Sequence, residues 1–183
     1  MRWIFPKRIC LLLYNSLFHS HLVYCIDAWG SASNNVLRPL EMLQKKAIRF
    51  VSNSDYLAHT SPIFKSLGLL KLRHIYFMRI SIVVFKELKG INSGEPFGFT
   101  RINHAYQTRS ASNDLLRLPN TPSGGISNSL IRTMAYVGPR CYNALPSNIS
   151  NVNCSLSLFK RNLKNWLIFS ELDVYQLVYT LRV

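Results

Sequence analysis

Apolar residues recur at helical spacing along most of the chain. Over residues 7–24, Leu11, Leu12, Tyr14, Leu17, Phe18, Leu22 and Val23 nearly encircle a helix, and a helix apolar on most sides predicts burial. The mixed aromatic stretch from Tyr24 to Trp29 ends at Gly30-Ser31 and predicts a short extended or turn segment. Asn34 and Asn35 then offer N-caps for a helix reaching about Val51. Its predicted core face carries Val36, Leu40, Leu43, Ala47, Phe50 and Val51. Arg38, Lys45 and Arg49 fall opposite, and Pro39 is placed in the first turn, where its missing N–H has no helical partner anyway.

Ser61-Pro62 opens a short helix, with Pro at its first position, that stops at Gly68. Leu69 to Lys89 gives the longest helical pattern: Ile75, Met78, Ile82 and Phe85 form one stripe, Leu72, Tyr76 and Val83 widen it, and Gly90 closes it. From Ile91 to about Ser127, Gly and Pro cluster among Asn, Ser and Thr, which predicts irregular structure with one short strand at Leu115 to Leu118. So long a connection is either a mobile linker or a loop ordered by a partner. Ser129 to Val137 fits strand or helix equally, and Gly138-Pro139 punctuates it. Ser155 to Phe169 reads as a last helix, with Leu156, Phe159, Leu163 and Trp166-Leu167 on one face and Lys160, Arg161 and Lys164 off it. The expected fold is mainly α: a bundle-like helical subdomain at 7–90, an irregular linker at 91–127, a smaller C-terminal unit with helix and a short strand at 128–169, and an unassigned tail at 170–183.

Composition narrows the class. Hydrophobic residues make up 48% of the 183 positions, which excludes a disordered tail. Lys and Arg number 22 against 8 Asp and Glu, a formal charge of +14. That balance attracts polyanions, nucleic acid first and anionic membrane second, with a basic surface lacking any specific ligand as the plain alternative. No run of like charges forms a detachable tail, so a binding face must be assembled by folding. Cys10, Cys25, Cys141 and Cys154 contain no CxxC pair, which speaks against a zinc finger or redox motif and for reduced, buried thiols. The apolar run Ile9–Tyr14 is too short for a membrane span and is followed by no cleavage site. The expected location is intracellular, in cytoplasm or nucleus, with no transmembrane segment, so the sequons at Asn148 and Asn153 are read as chance matches.

Catalytic patterns are missing. Nucleotidyl transfer needs two metal ions held by closely set carboxylates, yet the acids Asp27, Glu41, Asp55, Glu87, Glu95, Asp114, Glu171 and Asp173 include no Asp-Asp pair. Gly124-Gly125 belongs to no phosphate-loop pattern, and no G-x-S-x-G elbow occurs. His19 and His21 stand two apart, which points them away from each other on a helix. No catalytic, metal or cofactor residue is assigned. What remains is cationic residues beside aromatics: Lys45, Lys46 and Arg49 within Gln44–Phe50, Lys160, Arg161 and Lys164 near the end, and Arg109 in the loop region. These would hold phosphates without reading sequence; a solvated helix face, or for Arg109 a loop pinned to the core, is the alternative.

Four stretches carry a resemblance. Leu13-Tyr14-Asn15-Ser16-Leu17 to Tyr24 leads into Trp29-Gly30; Leu43-Gln44-Lys45-Lys46-Ala47-Ile48-Arg49 forms a basic helix; Tyr106-Gln107-Thr108-Arg109 lies in the loop; and Gly138-Pro139-Arg140-Cys141-Tyr142-Asn143-Ala144-Leu145-Pro146 precedes Leu158 to Leu167. In this order, over about residues 10–168, they resemble the C-terminal end of reverse transcriptases of non-LTR (jockey-like, LINE-type) retrotransposons. Tyr142 stands where that family usually has Trp. The resemblance implies a helical region at or beyond the thumb, flanking template-primer, with the catalytic palm and its magnesium upstream and absent. It implies a fragment of an RNA-directed DNA polymerase, inactive alone, whose partners are RNA or DNA backbone and the missing palm and fingers. An inactive structural relic and a cationic membrane-surface protein are the competing expectations.

Overall fold

The computed structural model describes residues 5–91, 94, 96–102, 115–119, 132–150, 153–170, 173–174 and 176. It is mainly α-helical, as the periodicity predicts. The chain divides into two compact units, Met1–Tyr76 with Trp166–Ser170, and Phe77–Asn165 with Glu171–Val183.

In the first unit α1 (Lys7–Leu13) runs through a π-helical turn, Tyr14–His19, into α2 (Ser20–Val23). The Ser16 and Ser20 hydroxyls donate to the Leu12 and Ser16 carbonyls at 2.9 and 2.6 Å, a competition with the backbone ladder that suits a locally widened helix. Cys10, Tyr14 and Leu22 are buried, but Leu12 and Leu17 face outward, so this helix is not buried on all sides as its composition predicts. The helix packs on α4 along one side.

The Tyr24–Trp29 stretch also departs from expectation. Cys25 adopts a left-handed conformation (φ 49°) and starts a single helical turn, α3 (Ile26–Trp29). The turn is held by Trp29 Nε1 donating to the Tyr24 carbonyl at 2.8 Å. Gly30 follows because nothing larger fits: a Cβ there would lie 2.2 Å from the Tyr76 ring.

Helix α4 (Asn34–Ser52) is N-capped at Ser33 rather than at Asn34 or Asn35, which makes Pro39 its sixth residue, beyond the first turn. Its inner face is Leu37, Gln44, Ile48 and Val51. The predicted core stripe is split: Val51 is buried and Leu40 and Ala47 are half-buried, but Val36 at 59%, Leu43 at 49% and Phe50 at 46% exposure face outward. The physical reason is Gln44. Its Nε2 donates to the Tyr14 hydroxyl and the Leu70 carbonyl (3.1 and 3.0 Å), and its Oε1 accepts the Leu72 N–H (2.8 Å). Three bonds satisfy a carboxamide that would otherwise be costly to bury, and they set which way α4 faces. Arg73 reinforces that setting from outside by donating to Glu41 and Asn34.

Cys10, Tyr14, Ile48, Val51 and Phe64 form the unit's core. The last of these lies on α5 (Thr60–Leu67), which ends at Gly68 with φ +62°, the left-handed closure that glycine favours.

Helix α6 (Leu72–Leu88) has a wider buried surface than one stripe: Phe77, Ile80, Ser81 and Val84 join Leu72, Ile75, Tyr76, Ile82 and Phe85, while Met78 and Val83 stay half-buried. In the second unit Phe85 stacks on Phe159 with ring centres 4.1 Å apart, and Tyr142 lies 6.5 Å from the same ring. The predicted strand at Leu115 to Leu118 reduces to one antiparallel bridge, Arg101 to Leu116.

Of the ambiguous 129–137 stretch, the described part enters α7 (Met134–Asn143). Gly138-Pro139 is therefore inside a helix and is no turn. A proline ring crowds both the N–H and the Cβ of the residue before it, and Gly138 lacks the second. Gly138 and Pro139 are both buried, which fixes them there. A short turn, α8 (Ser147–Ser150), and α9 (Leu156–Phe169) follow. The Ser155 hydroxyl accepts the Leu158 N–H at 3.2 Å and caps α9. None of the four cysteines is in a disulfide; Cys10 and Cys141 are buried, Cys154 half-buried and Cys25 exposed, and the left-handed turn at Cys25 accounts for that departure from the buried expectation.

Candidate nucleic-acid interface

The cationic residues fall on two helices, one set in each unit. On α9, Phe159, Leu163 and Leu167 are buried while Lys160, Arg161 and Lys164 are exposed. Residues at i and i+4 share a helix face, so Lys160 and Lys164 stand one turn apart with Arg161 beside them. The register of α9 is as predicted.

On α4 the picture is mixed. Lys46 is exposed, and Lys45 and Arg49 are half-buried. Arg49 Nε donates to the Ala58 carbonyl at 2.9 Å, which ties the segment between α4 and α5 to the helix. Arg49 is thus a structural residue as well as a cation, a role that spacing along one helix cannot reveal. Arg109, with the rest of Tyr106–Arg109, lies outside the described residues.

Other cations serve the fold. Lys89 Nζ donates to the Cys154 carbonyl and sits 5.7 Å from the centre of the Phe85 ring. Arg140 stands 5.5 Å over Tyr136. Neither is an adventitious surface charge.

Sequence reading missed a cleft of about 350 Å³ in the second unit, lined by Phe97 to Thr100, Arg117 to Pro119 and Ala135. Glu87 holds the backbone of the Phe97–Phe99 wall. One carboxylate oxygen accepts the N–H groups of Gly98 and Phe99 (2.8 and 3.0 Å), and the other that of Phe97 (3.0 Å). The Phe-Gly-Phe alternation was a visible signal. The pairing of residue 100 with residue 117 was not, because only tertiary contact brings them together: Arg117 N–H donates to the Thr100 carbonyl at 2.8 Å.

Among the described residues the carboxylates do not gather. Glu41 pairs with Arg73, Glu87 binds backbone, and Asp55 and Asp173 accept the nearby N–H groups of Tyr56 and Gln176. Among the described residues no three His, Cys, Asp or Glu side chains cluster as a metal site would require. Burial pushes the Cys141 thiol pKa well above its usual range, against a smaller opposing effect of Arg140, so it stays a protonated core group rather than a nucleophile. Among the described residues no helix is long and apolar enough to cross a membrane. The chain matches no protein-family model, no curated protein and no solved structure.

Proposed function

We propose that the chain is a C-terminal portion of a non-LTR retrotransposon RNA-directed DNA polymerase, located beyond the catalytic palm. In this reading it grips RNA or DNA backbone without reading sequence and performs no nucleotidyl transfer. Magnesium belongs to the absent palm, and the working compartment is cytoplasm or nucleus. The observation that carries the reading is α9, whose buried apolar face leaves Lys160, Arg161 and Lys164 together in solvent, on a chain of net charge +14. The resemblance in the Gly138–Pro146 unit and its neighbours supplies the polymerase lineage.

The outward apolar stripe of α4, Val36, Leu43 and Phe50, supports contact with further polymerase subdomains such as palm and fingers. It equally favours a second reading, an inert relic that keeps surfaces its parent once covered.

Binding to single-stranded and duplex nucleic acid across a salt series separates the two. The proposed function gives affinity that falls linearly with log salt concentration. Neutralising Lys160, Arg161 and Lys164 together should flatten that slope by roughly 2 to 3 units. Absence of salt-dependent affinity selects the relic. Primer extension by the purified chain would overturn the inactive assignment, and pelleting with anionic vesicles but not with nucleic acid would select a membrane-surface protein.

A further inference from the structure

We infer that the cleft beside Phe97 is a stacking subsite for an unpaired base of single-stranded nucleic acid, with Arg117 holding the adjoining phosphate; this rests on the nucleic-acid reading above and deepens it. The site is built rather than incidental. Phe97 is 48% exposed, an unusual state for a large aromatic that is held in place. It is held by Glu87, whose carboxylate binds three successive backbone N–H groups beneath it, and by Phe99, whose ring lies 5.7 Å from that of Phe97 at 23°. Phe99 in turn is seated where Gly138 leaves room, since a Cβ at Gly138 would lie 2.8 Å from it. The outer face of Phe97 is therefore a fixed, solvent-facing aromatic surface.

The chemistry of the lining selects the occupant. Arg117 is exposed and borders the cleft, while the nearby carboxylate, Glu87, has both oxygens committed to backbone. Among the described residues that line it, the site therefore offers a cation and a π-face and no carboxylate. Single-strand binders combine those two features, because every base has a face to stack and every nucleotide a phosphate. A volume of about 350 Å³ lies near the lower end of ligand clefts, roughly 300–1,000 Å³, which suits one nucleotide. Thr100, Leu118 and Pro119 also line it.

The test is fluorescence anisotropy of the full chain with a labelled oligothymidylate, an abasic strand of equal length and a duplex. The oligothymidylate should bind more tightly than the abasic strand. Phe97→Ala should weaken oligothymidylate binding roughly 5- to 150-fold, the span expected for one lost base stack, and leave the abasic strand unaffected. Phe97→Trp should retain affinity and show fluorescence quenching on binding beyond that of the wild type. Arg117→Ala should reduce the single-strand salt slope by about 0.7. If the wild type holds oligothymidylate and abasic strand equally, or Phe97→Ala changes neither or both alike, the subsite is wrong while backbone binding stands. If the wild type binds no nucleic acid at low salt, the broader reading falls and the subsite with it.

Discussion

The carboxamide of Asn143 pairs with both backbone groups of Leu116: Oδ1 accepts the Leu116 N–H at 2.8 Å and Nδ2 donates to the Leu116 carbonyl at 2.9 Å. On the other edge of the same segment, the Leu115 carbonyl accepts from Ile102 N and Arg117 N donates to Thr100. Backbone groups of an extended chain point alternately to either side. Residues 100–102 thus serve one side, and a single side chain on α7 stands in for the neighbouring strand on the other. Leu116 is buried, so neither group has water as a ready substitute.

Asn143→Ala should therefore lower stability by about 2–4 kcal/mol, since two buried backbone groups lose partners. Urea unfolding followed by circular dichroism measures it. A midpoint equal to that of the wild type would show that the amide pairing contributes nothing.

Gly138→Ala tests the seat of Phe99. The added methyl would meet the Phe99 ring at 2.8 Å and Val84 Cγ2 at 3.1 Å, and overpacking of this kind costs about 1–3 kcal/mol. Combining it with Phe99→Leu should recover part of the loss, because contacting residues couple non-additively. Strict additivity in the double-mutant cycle would exclude the contact as the cause.

Gln44→Leu keeps size and removes every bond to Tyr14, Leu70 and Leu72. A stability loss of about 2–4 kcal/mol is expected from the orphaned groups. Tyr14→Phe deletes one bond and should cost less, about 0.5–1.5 kcal/mol. Thermal unfolding of both variants should preserve that order.

Alkaline pH should loosen the second unit. Burial pushes the Tyr142 hydroxyl from about 10 to about 12, with Arg101 opposing and Cys154 adding slightly. The folded chain then holds a proton that the unfolded chain releases earlier, so unfolding free energy falls as pH rises. The Tyr142 contribution is complete below pH 10 and is lost as pH climbs through about 12. Unfolding measured across that window should show a shallower decline in Tyr142→Phe, which also gives up the bond to the Ser150 carbonyl at 2.8 Å. Parallel curves for the two proteins would contradict the assignment.

Helix α9 was legible because its apolar and charged positions separate cleanly and Ser155 marks its start. Helix α4 misled because it carries more apolar residues than one face can hold. The choice between stripes was made by a polar residue, Gln44, whose partners lie 26 to 30 positions away. Gly138-Pro139 looked like punctuation, since local rules cannot foresee that a missing Cβ both permits the proline and admits Phe99. At the candidate site, Lys160, Arg161 and Lys164 were visible as off-face charges. Arg117 was hidden because its importance comes from pairing with residue 100.

The widened turn at Tyr14–His19 accommodates one more residue than a regular helix would need there. Loss of a single codon between Asn15 and Phe18 would thus be absorbed as an ordinary α-helix instead of a break. The residues after it would keep their faces, because the bulge already absorbs the extra residue, and Leu22 would stay in its buried position. Genetic drift at that spot would leave both the helix and its packing in place.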